Sequence, residues 1–139
     1  MVGTGTGTAG LGRAKAESVA EAVQIATNLA KKNLISIARH RGCTVSRTNL
    51  YKYKRTKVLV KACRTGYGIR SSPEMRVVLR AFGLTDMCVV TIGRKTNRQA
   101  MYRALFKGFQ EDIRTPEEIT KALGKKRFDI AAFYYSPKK

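Results

Sequence analysis

The chain has 139 residues, and its 28 lysine and arginine residues outnumber its 9 aspartate and glutamate residues, which gives a formal net charge of +19. With 43% apolar residues, a chain of this length can bury a core, so we expect one domain or two small ones. Such a charge repels itself unless a polyanion neutralises it, and nucleic acid is the favoured partner. The basic residues are spread along the chain instead of forming one amphipathic helix, which argues against a membrane surface.

The reactive side chains are few and scattered. Cys43, Cys63 and Cys88 form no C-x-x-C pair and are expected to be reduced thiols, and His40 is the only histidine. No second ligand pair completes a zinc site, and no carboxylate near His40 in sequence would orient it as a base. We therefore predict no catalytic residue, no metal site, no cofactor and no enzyme.

The first element is the glycine-rich stretch "GTGTGTAGLG" at residues 3–12. Its Gly5, Gly7 and Gly10 have the G-x-G-x-x-G spacing of a dinucleotide-binding turn, which also needs a preceding strand and a carboxylate about 20 residues later. Too few residues precede Gly5 for a strand, and no acidic residue lies between Glu21 and Glu74. A nucleotide-binding enzyme is therefore not expected.

A long amphipathic helix is predicted next, from about residue 17 to residue 38. Its stripe recurs at helical spacing and consists of Val19, Ala22, Val23, Ala26, Ala30, Asn33 or Leu34, and Ile37. The stretch "LYKYKRTKVLVKAC" at residues 50–63 then predicts strands that meet at a turn formed by Arg55 and Thr56. The second of these strands has one apolar face and one basic face.

The second half begins with the loop "RTGYGIRSSPEM" at residues 64–75, which leads into a helix up to Gly83. A buried strand is predicted for "MCVVTIG" at residues 87–93, followed by the basic loop "RKTN" and a helix at residues 98–109. A capping box at residues 115–118 opens a short helix that Gly124 closes. This order predicts an α+β chain that divides near Arg64.

At this point the residues resemble a known family, universal small-subunit ribosomal protein five. The family's alternating glycines, small-residue helix and basic-basic-Asn ending match Gly3, Gly5, Gly7, Gly10, Gly12, Lys15, Ala16, Ala22, Ala26, Ala30, Lys31, Lys32 and Asn33. In the second half, "TGYGIRSSPEMRVVLRAFGLTDM", "IGRKTN", "YRALFKG" and "RTPEEI" resemble successive family segments. The resemblance covers about residues 2–125.

The resemblance implies a fold and a domain plan. A domain similar to a double-stranded-RNA-binding domain is expected at residues 1–64, its first strand lying upstream of Met1. A small α/β domain with a left-handed β-α-β crossover is expected at residues 65–125, and a basic tail at residues 126–139.

The resemblance also implies a function, as a structural protein of the small ribosomal subunit. It implies binding to small-subunit rRNA, contacts with small-subunit proteins four and eight, and a place near the path by which mRNA enters. Roles in subunit assembly and decoding accuracy follow. "GYGIR" is more similar to mitochondrial members, which predicts the mitochondrial matrix, with a plastid or the bacterial cytoplasm as alternatives. The alternative function is a free double-stranded-RNA-binding module outside the ribosome.

Two sets of site residues follow. Glycines without side chains would let the backbone approach an RNA phosphate and donate its N–H groups, beside cations that supply charge. The predicted rRNA-binding residues are Gly3, Gly5, Gly7, Gly10, Gly12, Arg13, Lys15, Lys31, Lys32, Arg94, Lys95 and Asn97. The predicted protein-interface loop consists of Gly66, Tyr67, Gly68, Ile69 and Arg70.

Overall fold

Short strands and amphipathic helices alternate along the chain, as the sequence periods predict. A computed structural model describes residues 1–93, 96–112 and 116–126. The described strands are β1 (Val2–Gly3), β2 (Thr8–Gly10), β3 (Leu34–Ser36), β4 (Asn49–Tyr53), β5 (Thr56–Ala62), β6 (Ile69–Arg70) and β7 (Met87–Gly93). The described helices are α1 (Val19–Lys32), α2 (Pro73–Ala81), α3 (Arg98–Asp112) and α4 (Pro116–Ala122). The α+β class is therefore confirmed.

The N-terminal sheet has the order β1-β2-β3, with both pairs antiparallel, and α1 connects β2 to β3. The helix α1 begins after Ser18, whose hydroxyl accepts a hydrogen bond from the Glu21 N–H at 3.5 Å. It ends at Asn33, whose N–H donates to the carbonyls of Leu29 and Ala30.

The predicted continuation of this helix to residue 38 is wrong. Leu34–Ser36 leaves the helix and pairs with Thr8–Gly10 as β3. The predicted apolar stripe is covered only in its C-terminal part, because Ala30 and Ile37 are buried while Val19 and Val23 are 82% and 58% exposed. Cross-strand hydrogen bonds with a segment some 26 residues earlier thus override a helical pattern that local sequence extends.

Glycine lets β2 lie directly against α1. A Cβ on Gly10 would overlap the carbonyl oxygen of Ala30, and one on Gly12 would overlap that of Ala26. Because Gly10 and Gly12 face successive turns of α1, the chain after β2 runs antiparallel to the helix. Any side chain at either glycine would push the helix away.

The second sheet has the order β4-β5-β7-β6. β4 and β5 form a hairpin in which Tyr53 pairs with Thr56, so its turn is Lys54 and Arg55, one residue earlier than predicted. β5 pairs with β7 over its whole length, from Thr56 opposite Gly93 to Ala62 opposite Met87. β4 and β5, which precede the predicted division near Arg64, thus lie in the same sheet as β6 and β7 of the C-terminal half.

The predicted β-α-β unit is present as β6, α2 and β7. The strands β6 and β7 are parallel neighbours, with Ile69 opposite Met87 and Arg70 opposite Cys88. The helix α2 connects them and buries Met75, Val78 and Leu79. None of the described helices combines the length and the apolar composition needed to cross a bilayer.

The core lies between one face of the second sheet and the helices α2 and α3. Phe82, just after α2, packs against the rings of Phe106 and Phe109 at centroid distances of 5.2 and 5.3 Å. Ala9 in β2 and Ile37 just after β3 belong to the same buried cluster. One continuous core therefore joins the two sheets.

Replacement of Gly10 by alanine tests this packing. We expect Gly10→Ala to lower the free energy of unfolding by about 1–3 kcal/mol, because the new methyl group forces α1 away from β2. Urea denaturation followed by circular dichroism measures the loss. Ser36→Ala, an exposed position in β3, is the control and should change stability by less than about 0.5 kcal/mol. Equal stability of the two variants would contradict the close packing.

Candidate nucleic-acid interface

The predicted rRNA-binding cations of the first half are exposed side chains near α1. Arg13, Lys15, Lys31 and Lys32 are all exposed. Lys31 and Lys32 occupy the last turn of the helix, where cations are favoured by the helix dipole. Arg13 directly follows Gly12, which packs on Ala26, and Ala26 lies about 7.5 Å along the helix axis from Lys31.

The predicted glycine ribbon packs against other parts of the chain on the side where side chains would lie. The carbonyl oxygens of Ala30 and Ala26 occupy the space that side chains would fill at Gly10 and Gly12. At Gly3 that space holds Ala81, and at Gly7 it holds the carbonyl of Ile37. The side-chain directions of these glycines therefore face protein and are closed to a phosphate.

Gly5 differs from these glycines. No atom lies within 4 Å of the position that a Cβ would take there, and its φ of +72° favours glycine. Its backbone groups are nevertheless engaged. The Gly5 N–H donates to the Ala81 carbonyl at 3.0 Å, and its carbonyl accepts from Arg39 Nη1 at 3.4 Å. The same Arg39 nitrogen donates to the Gly83 carbonyl at 3.2 Å. Arg39 therefore fastens the β1–β2 hairpin to the end of α2, and this hairpin offers RNA few free backbone donors.

The remaining predicted residues of this set precede α3 in the sequence. Arg94 and Lys95 are outside the described residues. Asn97 is exposed, and its side-chain oxygen accepts a hydrogen bond from the Ala100 N–H at 3.1 Å. This bond caps α3 and leaves the side-chain amide N–H groups of Asn97 as the donors that face outward.

The predicted interface loop, residues 66–70, is held by a carboxylate that the sequence analysis did not single out. Asp86 is only 7% exposed, and its Oδ1 accepts the Gly68 N–H at 2.8 Å. Its Oδ2 accepts the hydroxyl of Thr85 at 3.2 Å. The Gly68 hydrogen bond holds the pKa of Asp86 below its ordinary value, outweighing the burial that would raise it.

The outer part of this loop carries an aromatic and a cation in contact. The guanidinium carbon of Arg70 lies 4.9 Å from the ring centre of Tyr67, a cation–π geometry. Tyr67 is 41% exposed. Because Asp86 holds the backbone N–H of Gly68, which lies between Tyr67 and Arg70 in the sequence, these two side chains keep a defined place on the surface.

Sequence reasoning missed Asp86 because its partner Gly68 is 18 residues away. The one hint in the local sequence is "LTDM", in which Asp86 is an acidic residue just before an apolar strand. The predicted site also left out the lysines of β4 and β5. The alternation of apolar and basic residues in β5 shows that Lys57 and Lys61 lie on the same side of this strand, opposite to its buried residues. Within the described ranges, no cluster of three His, Cys, Asp or Glu side chains could hold a metal ion.

Comparison with known families and proteins covers both halves of the chain. Residues 51–123 match the family model described as ribosomal protein S5, C-terminal domain. Residues 1–38 match the model for the N-terminal domain of the same family. These limits agree with the sheet division in the structure, since the N-terminal match ends before β4 and the C-terminal match includes most of β4.

Several similar proteins are named small ribosomal subunit protein uS5. The one from a Sulfurihydrogenibium species is 34% identical over 96% of this chain and 68% of its own length. The one from Erythrobacter litoralis is 34% identical over 94% of this chain and 45% of its own length. The protein uS5m of Schizosaccharomyces pombe is 30% identical over 97% of this chain and 34% of its own length. The chain thus spans between a third and two thirds of the length of these relatives.

Replacement of Asp86 by asparagine tests the anchoring of the loop. Because the folded-state pKa of Asp86 is lowered, its ionised form contributes stability above the unfolded-state value of about 3.9, and this contribution is lost as pH falls through the folded-state pKa. We expect Asp86→Asn to be less stable than the unsubstituted protein at pH 7, with a difference that shrinks below about pH 4. Urea unfolding at several pH values measures it.

The amide of Gly68 gives a local readout of the same contact. Its hydrogen exchange should be faster in Asp86→Asn at pH 7, because the asparagine oxygen is a weaker acceptor than a carboxylate. Glu111→Gln, which removes an exposed carboxylate 3.4 Å from Lys107, is the control. A stability difference independent of pH, or unchanged exchange at Gly68, would contradict the anchoring.

Proposed function

Since this chain belongs to the ribosomal protein S5 family, we propose that it is a structural component of the small ribosomal subunit and binds small-subunit rRNA. The main support is that the two halves of the chain match, in the same order, the two domains of that family. Relatives named small ribosomal subunit protein uS5 align with more than nine tenths of the chain. The family is a structural one, and an enzymatic activity has no support here.

The charge supports rRNA as the ligand. A net charge of +19 is neutralised by phosphates, each of which releases condensed counterions when a cation contacts it. The exposed side chains of Arg13, Lys15, Lys31 and Lys32 are the proposed phosphate contacts of the first half. Arg94, Lys95 and Asn97 are the proposed contacts next to α3. The glycines contribute indirectly, because they hold α1 and its cations close to the sheet.

The finer architecture belongs to the same proposal. The helix α1 packed on an antiparallel sheet supports a first domain similar to a double-stranded-RNA-binding domain. The parallel pair β6 and β7 joined by α2 supports the crossover, whose left-handed sense the family resemblance implies. We propose that the loop at residues 66–70 contacts a neighbouring ribosomal protein. Small-subunit proteins four and eight are the expected neighbours, close to the path of mRNA.

We also propose a mitochondrial ribosome as the place of action. The resemblance of "GYGIR" to mitochondrial members supports it, as does the match to uS5m of fission yeast at 30% identity. Bacterial relatives match at 34% identity, so the location needs its own measurement. Small subunits prepared from purified mitochondria should contain the protein, whereas its presence only in other ribosomes would contradict this part.

Sucrose-gradient sedimentation tests the main proposal. The protein should co-sediment with small subunits, and Lys31→Gln together with Lys32→Gln should reduce the salt dependence of rRNA binding by about 1.5 logarithmic units per logarithmic unit of salt. Lys125→Gln with Lys126→Gln is the matched control, since these are also adjacent exposed lysines. Protein that stays at the top of the gradient and binds any A-form duplex would instead indicate a free RNA-binding module.

The proposed role of the loop in decoding accuracy has a separate test. An interface that favours one arrangement of the subunit by about 1.4 kcal/mol changes the ratio of two arrangements tenfold. We expect Gly68→Arg to change stop-codon readthrough severalfold in cells whose small-subunit peak is normal. Gly42→Arg is the control, because both glycines have positive φ and open space around the Cβ position. Equal readthrough in the two variants would contradict the role.

A further inference from the structure

The second sheet has an outer face that no described helix covers. Its inner residues, such as Val58 and Val60, are fully buried in the core. Because side chains alternate along a strand, the residues between them point to the other side of the sheet. We call these residues the outer face, and they are Leu50, Lys52, Lys57, Leu59, Lys61, Arg70, Cys88, Val90 and Ile92.

The strand register arranges the outer face in rows. Leu50, Leu59 and Val90 lie opposite one another on β4, β5 and β7 and form an apolar row. Since neighbouring strands are about 4.8 Å apart, this row is about 10 Å long. Leu50 and Val90 are 52% and 42% exposed, so the row is open to solvent.

Basic residues flank this apolar row on both sides. Lys52 lies opposite Lys57, which in turn lies opposite the exposed Ile92. On the other side Lys61 lies opposite Cys88, which lies opposite Arg70. Each flanking row is two residues from the apolar row, about 7 Å along the strands.

The pair formed by Lys52 and Lys57 is unfavourable within the sheet, because like charges directly opposite each other on neighbouring strands repel. The ion pairs found within the described ranges are those of Glu74 with Arg98 and of Glu111 with Lys107. No carboxylate belongs to the outer face. A partner that brings carboxylates to the outer face would relieve this repulsion.

We propose that the outer face docks a neighbouring protein that has an apolar ridge between two lines of carboxylates. The apolar row needs an apolar counterpart to gain from burial, and the flanking cations need anions placed about 7 Å to either side. This inference rests on the proposed function, since the partner is sought in the assembled small subunit.

The chemistry of the face disfavours other occupants. Single-stranded RNA binds to sheets chiefly by stacking bases on aromatic rings, and duplex RNA is bound through phosphates and 2′-hydroxyl groups. The outer face has aliphatic residues in the centre and no aromatic residue, because Tyr51 and Tyr53 pack on the side of the core. A second copy placed face to face would set lysine rows against lysine rows.

Photo-cross-linking in assembled subunits tests the inference. The photoreactive residue p-benzoylphenylalanine replaces Val90, with a second variant at Val77, which is 63% exposed on α2. Small subunits that contain each variant are isolated on a gradient, irradiated, and digested with ribonuclease or protease. We expect a ribonuclease-resistant adduct at position 90 whose attached peptide has apolar residues next to Asp or Glu, and no such adduct at position 77.

Charge reversal in the flanking row gives a second readout. Lys52→Glu with Lys57→Glu should lower the yield of the adduct at position 90 about tenfold, which corresponds to ~1.4 kcal/mol. Lys125→Glu with Lys126→Glu should leave the yield unchanged. Both variants are scored only in subunits into which they have assembled, so that a folding defect does not affect the yield.

The outcomes separate this inference from the proposed function. An adduct with rRNA at position 90, no adduct in subunits that contain the variant, or a peptide without acidic residues would overturn the docking proposal alone. An unsubstituted chain that fails to enter the small subunit would overturn the proposed function, and the docking proposal with it. An acidic peptide adduct that the lysine reversals weaken would support both.

Discussion

The structure depends on the contact of bare backbone in the β1–β2 hairpin with two helices. At Gly10 and Gly12 the strand lies against the carbonyl oxygens of α1, and at Gly5 it meets Gly83 at the end of α2. The strand and α1 could not approach so closely if Gly10 and Gly12 carried a Cβ. Hydrogen bonds from Arg39 to the carbonyls of Gly5 and Gly83 then hold the hairpin in place, so the N-terminal sheet and the main core form one body.

This packing determines where the charge lies. Small residues and glycine bring α1 to the sheet without a large apolar face, and Ala30 is its buried residue. The rest of the helix surface is left to solvent and to partners, and its cations project outward. Among the described carboxylates, Asp86 anchors a loop, and Glu74 bridges α2 to Arg98 at the start of α3 at 2.7 Å. The basic excess therefore remains available to anions outside.

The second sheet, one face of which packs on the main core, presents two kinds of surface to the outside. At its β6 edge, the loop fixed by Asp86 holds the Tyr67 and Arg70 pair. On its outer face, aliphatic residues lie between cations, a combination that suits a protein surface better than an RNA backbone. The cations near α1 are the proposed contacts with RNA, and these two surfaces of the second sheet are the proposed contacts with protein.

The sequence alone determined the α+β class, most of the elements, the absence of a nucleotide-binding motif and the family, because these follow from local periods, turn residues and a long ordered series of motifs. Only the tertiary structure decided that α1 ends at Lys32, since β3 forms by pairing with distant Thr8–Gly10. It also assigned β4 and β5 to the second sheet and gave Asp86 its partner Gly68. The glycines show the physical reason most clearly: a residue without a side chain permits close approach, but the sequence does not state whether the approaching atoms belong to RNA or to another part of the chain.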